Sequence, residues 1–337
     1  MKTLTILLGC AAALALTPNA AAHEDGSRGP HAMDHAPISV MADHRHKKGE
    51  YMVSYRYMSM DMDGNRDGTN SLSPDTIATT AANPFFGIAG QPPTLRVVPL
   101  DMKMDMHMAG AMYGLSDKIT LMAMGSYLSN SMNHLTYMGG MGTMVRGGFQ
   151  TESKGFGDST IGLIYGLDDG GKKGHQINVG LGLSLPTGST EETDQILTPI
   201  GMMPTPRLPY PMQLGTGTYD VKPSLTYFDR AGKLGWGTQA SARIPLGDND
   251  KGYKFGTRAE ATAWLAYEPE YWLSFSGRVK TKTQGRINGQ DPVIIAPVQT
   301  ADTQNSGGDQ VEIGLGVNLA GQHGALRGHR LAIEYTL

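Results

Sequence analysis

Between Leu100 and Leu128 the side chains alternate with a period of two residues, which is the repeat of a β-strand and not of a helix. In LDMKMDMHMAGAMYGLSDKITLMAMGSYL, Leu100, Met102, Met104, Met106, Met108 and Met112 fall on one face, and Asp101, Lys103, Asp105 and His107 fall on the other. Gly114-Leu115-Ser116-Asp117 supplies turn residues, after which Ile119, Leu121, Ala123 and Tyr127 resume an apolar row against Thr120 and Ser126. Two strands of about ten residues, apolar on one side and charged on the other, fit a transmembrane β-hairpin with lipid outside and water inside. The expectation is that the methionine row meets lipid and the charged row faces a lumen.

The same alternation recurs along the chain. A first strand at about 50 to 61 sets Tyr51, Val53, Tyr55 and Tyr57 opposite Met52, Ser54, Arg56 and Met58. Ile177, Val179, Leu181, Leu183 and Leu185 against Gln176, Asn178, Gly180, Gly182 and Ser184 make the cleanest strand. Similar rows around Ile161, Val221, Trp236, Ala261, Phe275, Ile313 and Ile333 bring the count to eleven. The connections alternate in length: long at 62–99, 129–154, 187–217, 247–254 and 283–308, short at 114–117, 167–174, 229–233, 268–270 and 321–328. Long outer loops and short periplasmic turns are the pattern of outer-membrane barrels, whereas a soluble β-sandwich has no reason to sort its loops this way. The expected fold is all-β, an antiparallel transmembrane β-barrel of about twelve strands. Eleven is an odd number, so a final descending strand is expected beyond Leu337.

Composition agrees. The chain of 337 residues carries a formal net charge of −3, which suggests neither a nucleic-acid binder nor a helical membrane protein. With 45 Gly and 18% charged residues, it has a Gly-rich β composition. Residues 1–22 read as a secretory signal, with Lys2, an apolar run from Leu4 to Leu16, and Ala20-Ala21-Ala22 before the cleavage point. The single cysteine, Cys10, lies within it, so the mature chain is expected to have neither disulfides nor thiolate chemistry. Residues 23–48 are polar, interrupted by Pro30 and Pro37, and read as a disordered His/Met-rich periplasmic arm; residues 49–337 read as the barrel. No nucleophile elbow, HExxH or phosphate-binding loop occurs, so no enzyme is expected.

Two sets of side chains are candidates for function. His23, His31, Met33, Asp34, His35, Met41, Asp43, His44 and His46 place imidazole, thioether and carboxylate within a few residues of one another, a mix suited to copper in either oxidation state. A polar tail with weak, incidental metal affinity has the same composition. Methionine is abundant at 21 residues; Met58, Met60 and Met62 sit opposite the tyrosine row, Met122 and Met124 take the inward register, Met132, Met138, Met141 and Met144 fall in the expected second long loop, and together they could form a soft-ligand path for Cu(I). The second set lines the expected lumen: Arg56, Asp101, Lys103, Asp105, His107, Asp220, Lys222, Arg243, Arg258, Glu260, Arg278, Lys280 and Glu312. Inward charges of both signs serve either as a polar conduit or as structural ion pairs.

HKKGEYMVSYRYMSMDMDGNRDG, MHMAGAMYGLSDKITLMAMGSYL, MNHLTYMGG, LPYPMQLGTGTYD and LRGHRLAIEY together resemble a group of proteobacterial outer-membrane barrels described as transporters. That group is related to the putative meta-pathway phenol-degradation proteins. The resemblance implies a barrel of about twelve strands, a link to copper or heavy-metal handling, and partners comprising outer-membrane lipid, the barrel-assembly machinery and a small solute or metal ion. Three functions are therefore expected in order: a channel for a small solute tied to metal tolerance, a metal-binding protein whose barrel is an anchor, and a barrel admitting apolar aromatic compounds.

Overall fold

In the computed structural model, which describes residues 30–167 and 175–337, the alternating segments form one antiparallel sheet. Its strands are β1 (Tyr51–Asp63), β2 (Val97–Ser116), β3 (Ile119–Tyr137), β4 (Val145–Phe156), β5 (Ser159–Gly166), β6 (Gln176–Leu185), β7 (Asp220–Ala231), β8 (Leu234–Pro245), β9 (Arg258–Glu270), β10 (Leu273–Gln284), β11 (Gly308–Ala320) and β12 (Arg330–Thr336). The upper part of β3, from Tyr127, pairs with β4, while its lower part, Ile119 to Met124, pairs with β5. β4 and β5 are therefore halves of one strand broken at Gly157-Asp158, and the path across the sheet crosses eleven strands, as the alternation predicts. The expected signal segment 1–22, His23 and the turn residues 168–174 lie outside the described residues.

The outer face is apolar where a membrane would touch it. Val53, Leu121, Leu163, Leu265, Val311 and Leu315 stand exposed along it, and Tyr51, Tyr113, Tyr165, Trp236, Tyr267 and Trp272 gather near the short turns. An apolar band bordered by an aromatic girdle is the outer surface of a transmembrane barrel.

Two expectations about β2 and β3 need correction. The strands are 20 and 19 residues long, about 65 Å at the usual rise per residue, whereas the apolar band of such barrels is about 25 Å tall. Much of the segment 129–154, read from sequence as a loop, is in fact β3 and β4 continuing past the bilayer. The excess length also reverses the reading of the faces. Tyr55 Oη is 2.6 Å from His107 Nδ1, Tyr57 Oη donates to Asp105 Oδ1 at 2.7 Å, and Asp101 and Lys103 are exposed, so this charged row lies on the outer face. On a strand that outruns the apolar band, an outward charge meets water. The methionine row faces inward: Met108 packs on Ile38 and Ala332, and Met102 and Met104 pack with Leu208 and Met212.

The long connections fold over the open end as a cap with its own core. Phe85, Tyr210, Tyr253, Ile287, Ile294 and Val298, drawn from four connections, are buried together. Beside them α1 (Pro74–Thr80), capped by Ser73 Oγ accepting from Thr76 N–H, buries Ile77 and Ala78 against Leu95, Val98 and Tyr137. The buried Arg96 guanidinium ties this corner together by donating to the carbonyls of Ala78, Met138, Gly139, Met141 and Gly142. Those bonds satisfy a charge that burial would otherwise penalise.

Burial in the cap pushes the Tyr253 hydroxyl from its ordinary 10.0 up to about 12. The neutral phenol is thus favoured in the folded state, and its contribution is complete below the unfolded value and lost as pH rises from about 10 towards about 12. The melting temperature is expected to fall over that alkaline interval, and to fall less in Tyr253→Phe; an equal loss in both would remove Tyr253 from the account.

Candidate functional site

Residues 30–48 do not form the free arm expected from their polarity; they run inside the curl of the sheet as a plug. Ala32, Met33, Ala36, Ile38, Val40, Asp43, His44, Arg45 and His46 are all buried. The physical reason is partnership: polar groups that made the segment look solvated are matched by the wall or by one another. His31 Nδ1 and Met33 N–H meet the two oxygens of Glu268 at 2.6 and 2.9 Å. Asp34 pairs with Arg230 at 3.2 Å. Arg330 donates to Ala36 O at 2.8 Å, Arg56 to Ile38 O at 2.9 Å, and Ser39 Oγ to Glu334 Oε1 at 2.7 Å. Asn178 Nδ2 donates to Asp43 O at 2.8 Å, and His46 N–H to Thr120 Oγ1 at 2.8 Å. Apolar contact completes the fit, with Met33, Ala36 and Val40 packed on Phe228, Trp264 and Ala266.

Glycine makes the room. A Cβ on Gly235 would press on Met33, one on Gly166 would overlap Arg45, and one on Gly114 would overlap the carbonyl of Lys47. These glycines occupy inward positions of otherwise regular strands, so their placement is the sequence signal that something packs against the inner face. Alternation alone could not reveal it.

Of the candidate metal ligands, the plug brings three together. Ala42 adopts φ of 55°, a left-handed conformation that reverses the chain and returns His44 to His35. His44 Nδ1 lies 2.8 Å from Asp43 Oδ1 and 3.2 Å from His35 Nδ1, and the ligand atoms of His35, Asp43 and His44 are all within 4.8 Å of one another. Burial would raise the Asp43 carboxyl, but the His44 charge and hydrogen bond, the His35 charge and the Ala36 N–H outweigh it and hold the group below the usual carboxylate range. His46 stacks edge-on to His44 at 5.1 Å, 3.8 Å from Glu50. His31, Met33 and Asp34 are engaged elsewhere in the plug, and the Met41 sulfur is taken by Arg56.

The inner wall of β1, β2 and β3 is lined with methionine. Cross-strand register sets Met62 beside Met102 and Met102 beside Met132, Met60 beside Met104, Met58 beside Met106, and Met52 beside Met112 and Met112 beside Met122. Met58, Met60 and Met62 thus face inward as expected, joined by the row that sequence reasoning assigned to lipid. At the outer end this wall meets the cap: Met102, Met132, Leu208 and Met212 are buried together, with Met62, Met104 and Ile196 against them.

Above that junction a cavity of about 490 Å³ opens in the cap. Val97, Phe149, Ile196, Leu208, Ile295 and Val298 line it, and the His134 ring lies flat on Phe149 with centroids 4.7 Å apart. Ile200, Met202 and Val293 form an exposed apolar rim. Its size and lining are those of small-molecule sites. Ile196 and Leu208 belong both to this cavity and to the methionine cluster, so the two meet at these side chains.

The remaining charged candidates face inward and are mostly paired. Arg278 meets Glu334 at 2.6 Å, Lys280 meets Glu312 at 2.8 Å, Arg258 meets Glu260 at 3.1 Å, and Arg243 stands 3.7 Å from Asp220. Lys222 donates to Thr160 Oγ1 at 2.9 Å. Asp101, Lys103, Asp105 and His107 are not among them, for the reason given above.

No family model matches the chain and no curated protein matches it, so the resemblance to the phenol-degradation group rests on the quoted phrases alone. Among solved structures, the chain is similar in fold to the COG4313 outer membrane channel from Pseudomonas putida F1, with 13% identity over 88% of this chain and 97% of that one at a TM-score of 0.50. A Pseudomonas aeruginosa FadL homologue aligns over 84% of this chain and 72% of its own at 10% identity and TM-score 0.42. The P. putida toluene transporter TodX aligns over 85% and 76% at 10% identity and TM-score 0.36. The first of these likenesses, the curled antiparallel sheet and its apolar outer band with an aromatic girdle make this chain an outer-membrane β-barrel protein.

Glu268 carries two of the plug's anchors. Glu268→Ala is expected to raise the rate of tryptic cleavage at the plug residues Arg45, Lys47 and Lys48 by about tenfold or more, the loss of hydrogen bonds to a buried charge being worth about 1.5–3 kcal/mol. Limited proteolysis of the folded protein in detergent checks this, and unchanged cleavage would mean the plug is held without that carboxylate.

Proposed function

We propose that this protein is an outer-membrane channel for small apolar solutes, aromatic compounds among them. The observation that carries the reading is the apolar cavity in the cap, with an exposed rim at Ile200, Met202 and Val293, meeting the methionine-lined wall at Ile196 and Leu208. An apolar solute leaving water for this cavity gains the usual hydrophobic free energy before it meets the barrel. Thioether side chains beyond it are flexible, polarisable and favourable towards aromatic rings, so solutes of different shapes can be passed along without a fitted site. Reconstituted in liposomes, the protein is expected to admit toluene faster than empty vesicles do. Leu208→Asp, which sets a charge at that junction, is expected to lower that rate by an order of magnitude or more, since an unpaired charge in an apolar site is costly. An equal rate in the variant would sink this route.

A second reading has its own observation, the convergence of His35, Asp43 and His44. Two imidazole nitrogens and a carboxylate oxygen suit a borderline cation such as Cu(II) or Zn(II). Arg56 and Arg330 face the same pocket and oppose added positive charge, so capture there is weak. Titration of the folded protein with Cu(II) is expected to show one weak site absent from His35→Ala/His44→Ala; identical titrations would remove the plug from metal handling.

A further inference from the structure

One chamber in the lumen has two unlike walls. Its volume is about 260 Å³, and it lies between Ser39, Met41 and Ala42 of the plug and the inner face of the sheet. Met122 and Met124 of β3 give it a thioether side. Lys222 of β7, Arg243 of β8, Arg258 of β9 and Lys280 of β10 give it a cationic side, against which the lining sets one carboxylate, Glu260.

The cations are arranged against their own repulsion. Arg243 and Arg258 are direct cross-strand partners, and Ile244 pairs with Val221, which brings Lys222 beside Arg243 on the same face. Like charges directly opposite each other destabilise a sheet. Structural pairing accounts for only part of the row. Glu260 serves Arg258 and Glu312 serves Lys280, while the nearest Asp220 oxygen is 3.7 Å from Arg243 Nε, an ion-pair contact too long for a hydrogen bond. The Lys222 ammonium donates to the Thr160 hydroxyl, and among the described residues no carboxylate is in ion-pair contact with it. Cationic groups crowded around one space raise a positive potential there that an anion relieves.

We propose that this chamber binds the carboxylate of a small amphipathic solute, held by Lys222 with Arg243 and Arg258 while its apolar body lies against Met122 and Met124. The proposal rests on the channel reading and names the solute class more closely: apolar compounds bearing one anionic group, received in the cap by their apolar part and in the lumen by their charge.

The test uses the full chain folded in detergent, with benzoate as probe, benzyl alcohol as its neutral counterpart and formate as the head group alone, each followed by equilibrium dialysis. Benzoate is expected to bind more tightly than either of the others. Lys222→Gln is expected to weaken benzoate by about tenfold, the scale of one charge-assisted hydrogen bond, and to leave benzyl alcohol unchanged, while Lys222→Arg retains most of the affinity. Far-UV circular dichroism and heat-modifiable migration confirm that each variant is folded. Equal binding of benzoate and benzyl alcohol, or benzoate affinity unmoved by Lys222→Gln, would overturn the proposal. Formate binding as tightly as benzoate would overturn the thioether wall, making this a simple anion site. Toluene flux in liposomes reads the channel separately: flux without benzoate preference leaves the channel and removes this site, and Lys222-dependent benzoate binding without flux does the reverse.

Discussion

A sheet that curls upon itself must put every side chain either on its outer surface or into the space it encloses, and that division governs the rest of this protein. The outer rows are simple because lipid asks only for apolar surface. The inner rows are not, because charges drawn into an enclosed space need partners, and backbone groups there must be bonded. The chain meets this demand with its own amino-terminal segment. Glu268, Arg230, Arg330, Arg56 and Asn178 each engage a plug group, and Glu334 links the plug's Ser39 to the buried Arg278. The plug also joins the sheet's two edges, since Arg56 belongs to β1 and Arg330 to β12.

Function follows from the order of surfaces along the axis. The cap offers an apolar cavity, the wall beneath it is methionine, and the chamber beside the plug is cationic on one side. Each has a different cost for a passing molecule. Apolar surface is favoured in the first two, and charge is favoured only in the third. The rigid parts are arranged accordingly: Arg96 and the buried tyrosines fix the cap, and the cavity meets the methionine wall at Ile196 and Leu208.

Some of this was legible in the residues and some was not, and the difference lies in how far an argument had to reach. The period of two and the sorting of long and short connections gave the strands, their number and the barrel class, because both are local properties. The faces of β2 were misread because alternation distinguishes two sides without saying which is inside. The usual assumption, charge inside and apolar outside, fails on a strand that continues past the bilayer, where Asp101, Lys103, Asp105 and His107 can face water on the outer surface. The plug was misread for a related reason. His31 and Asp34 look solvated in a sequence, and their partners Glu268 and Arg230 lie about two hundred positions away or more.

The sequence by itself determined the β class, the antiparallel order, the eleven strands and the inward methionines Met58, Met60 and Met62, since each follows from neighbours a few residues apart. Only the tertiary structure decided which face of β2 lines the lumen, that residues 30–48 fill it, that His35, Asp43 and His44 meet, and that Lys222, Arg243 and Arg258 share a chamber with Met122 and Met124. Those outcomes depend on pairings between distant segments, and such pairings are set by the curl of the sheet and the filling of its interior, which no local pattern encodes.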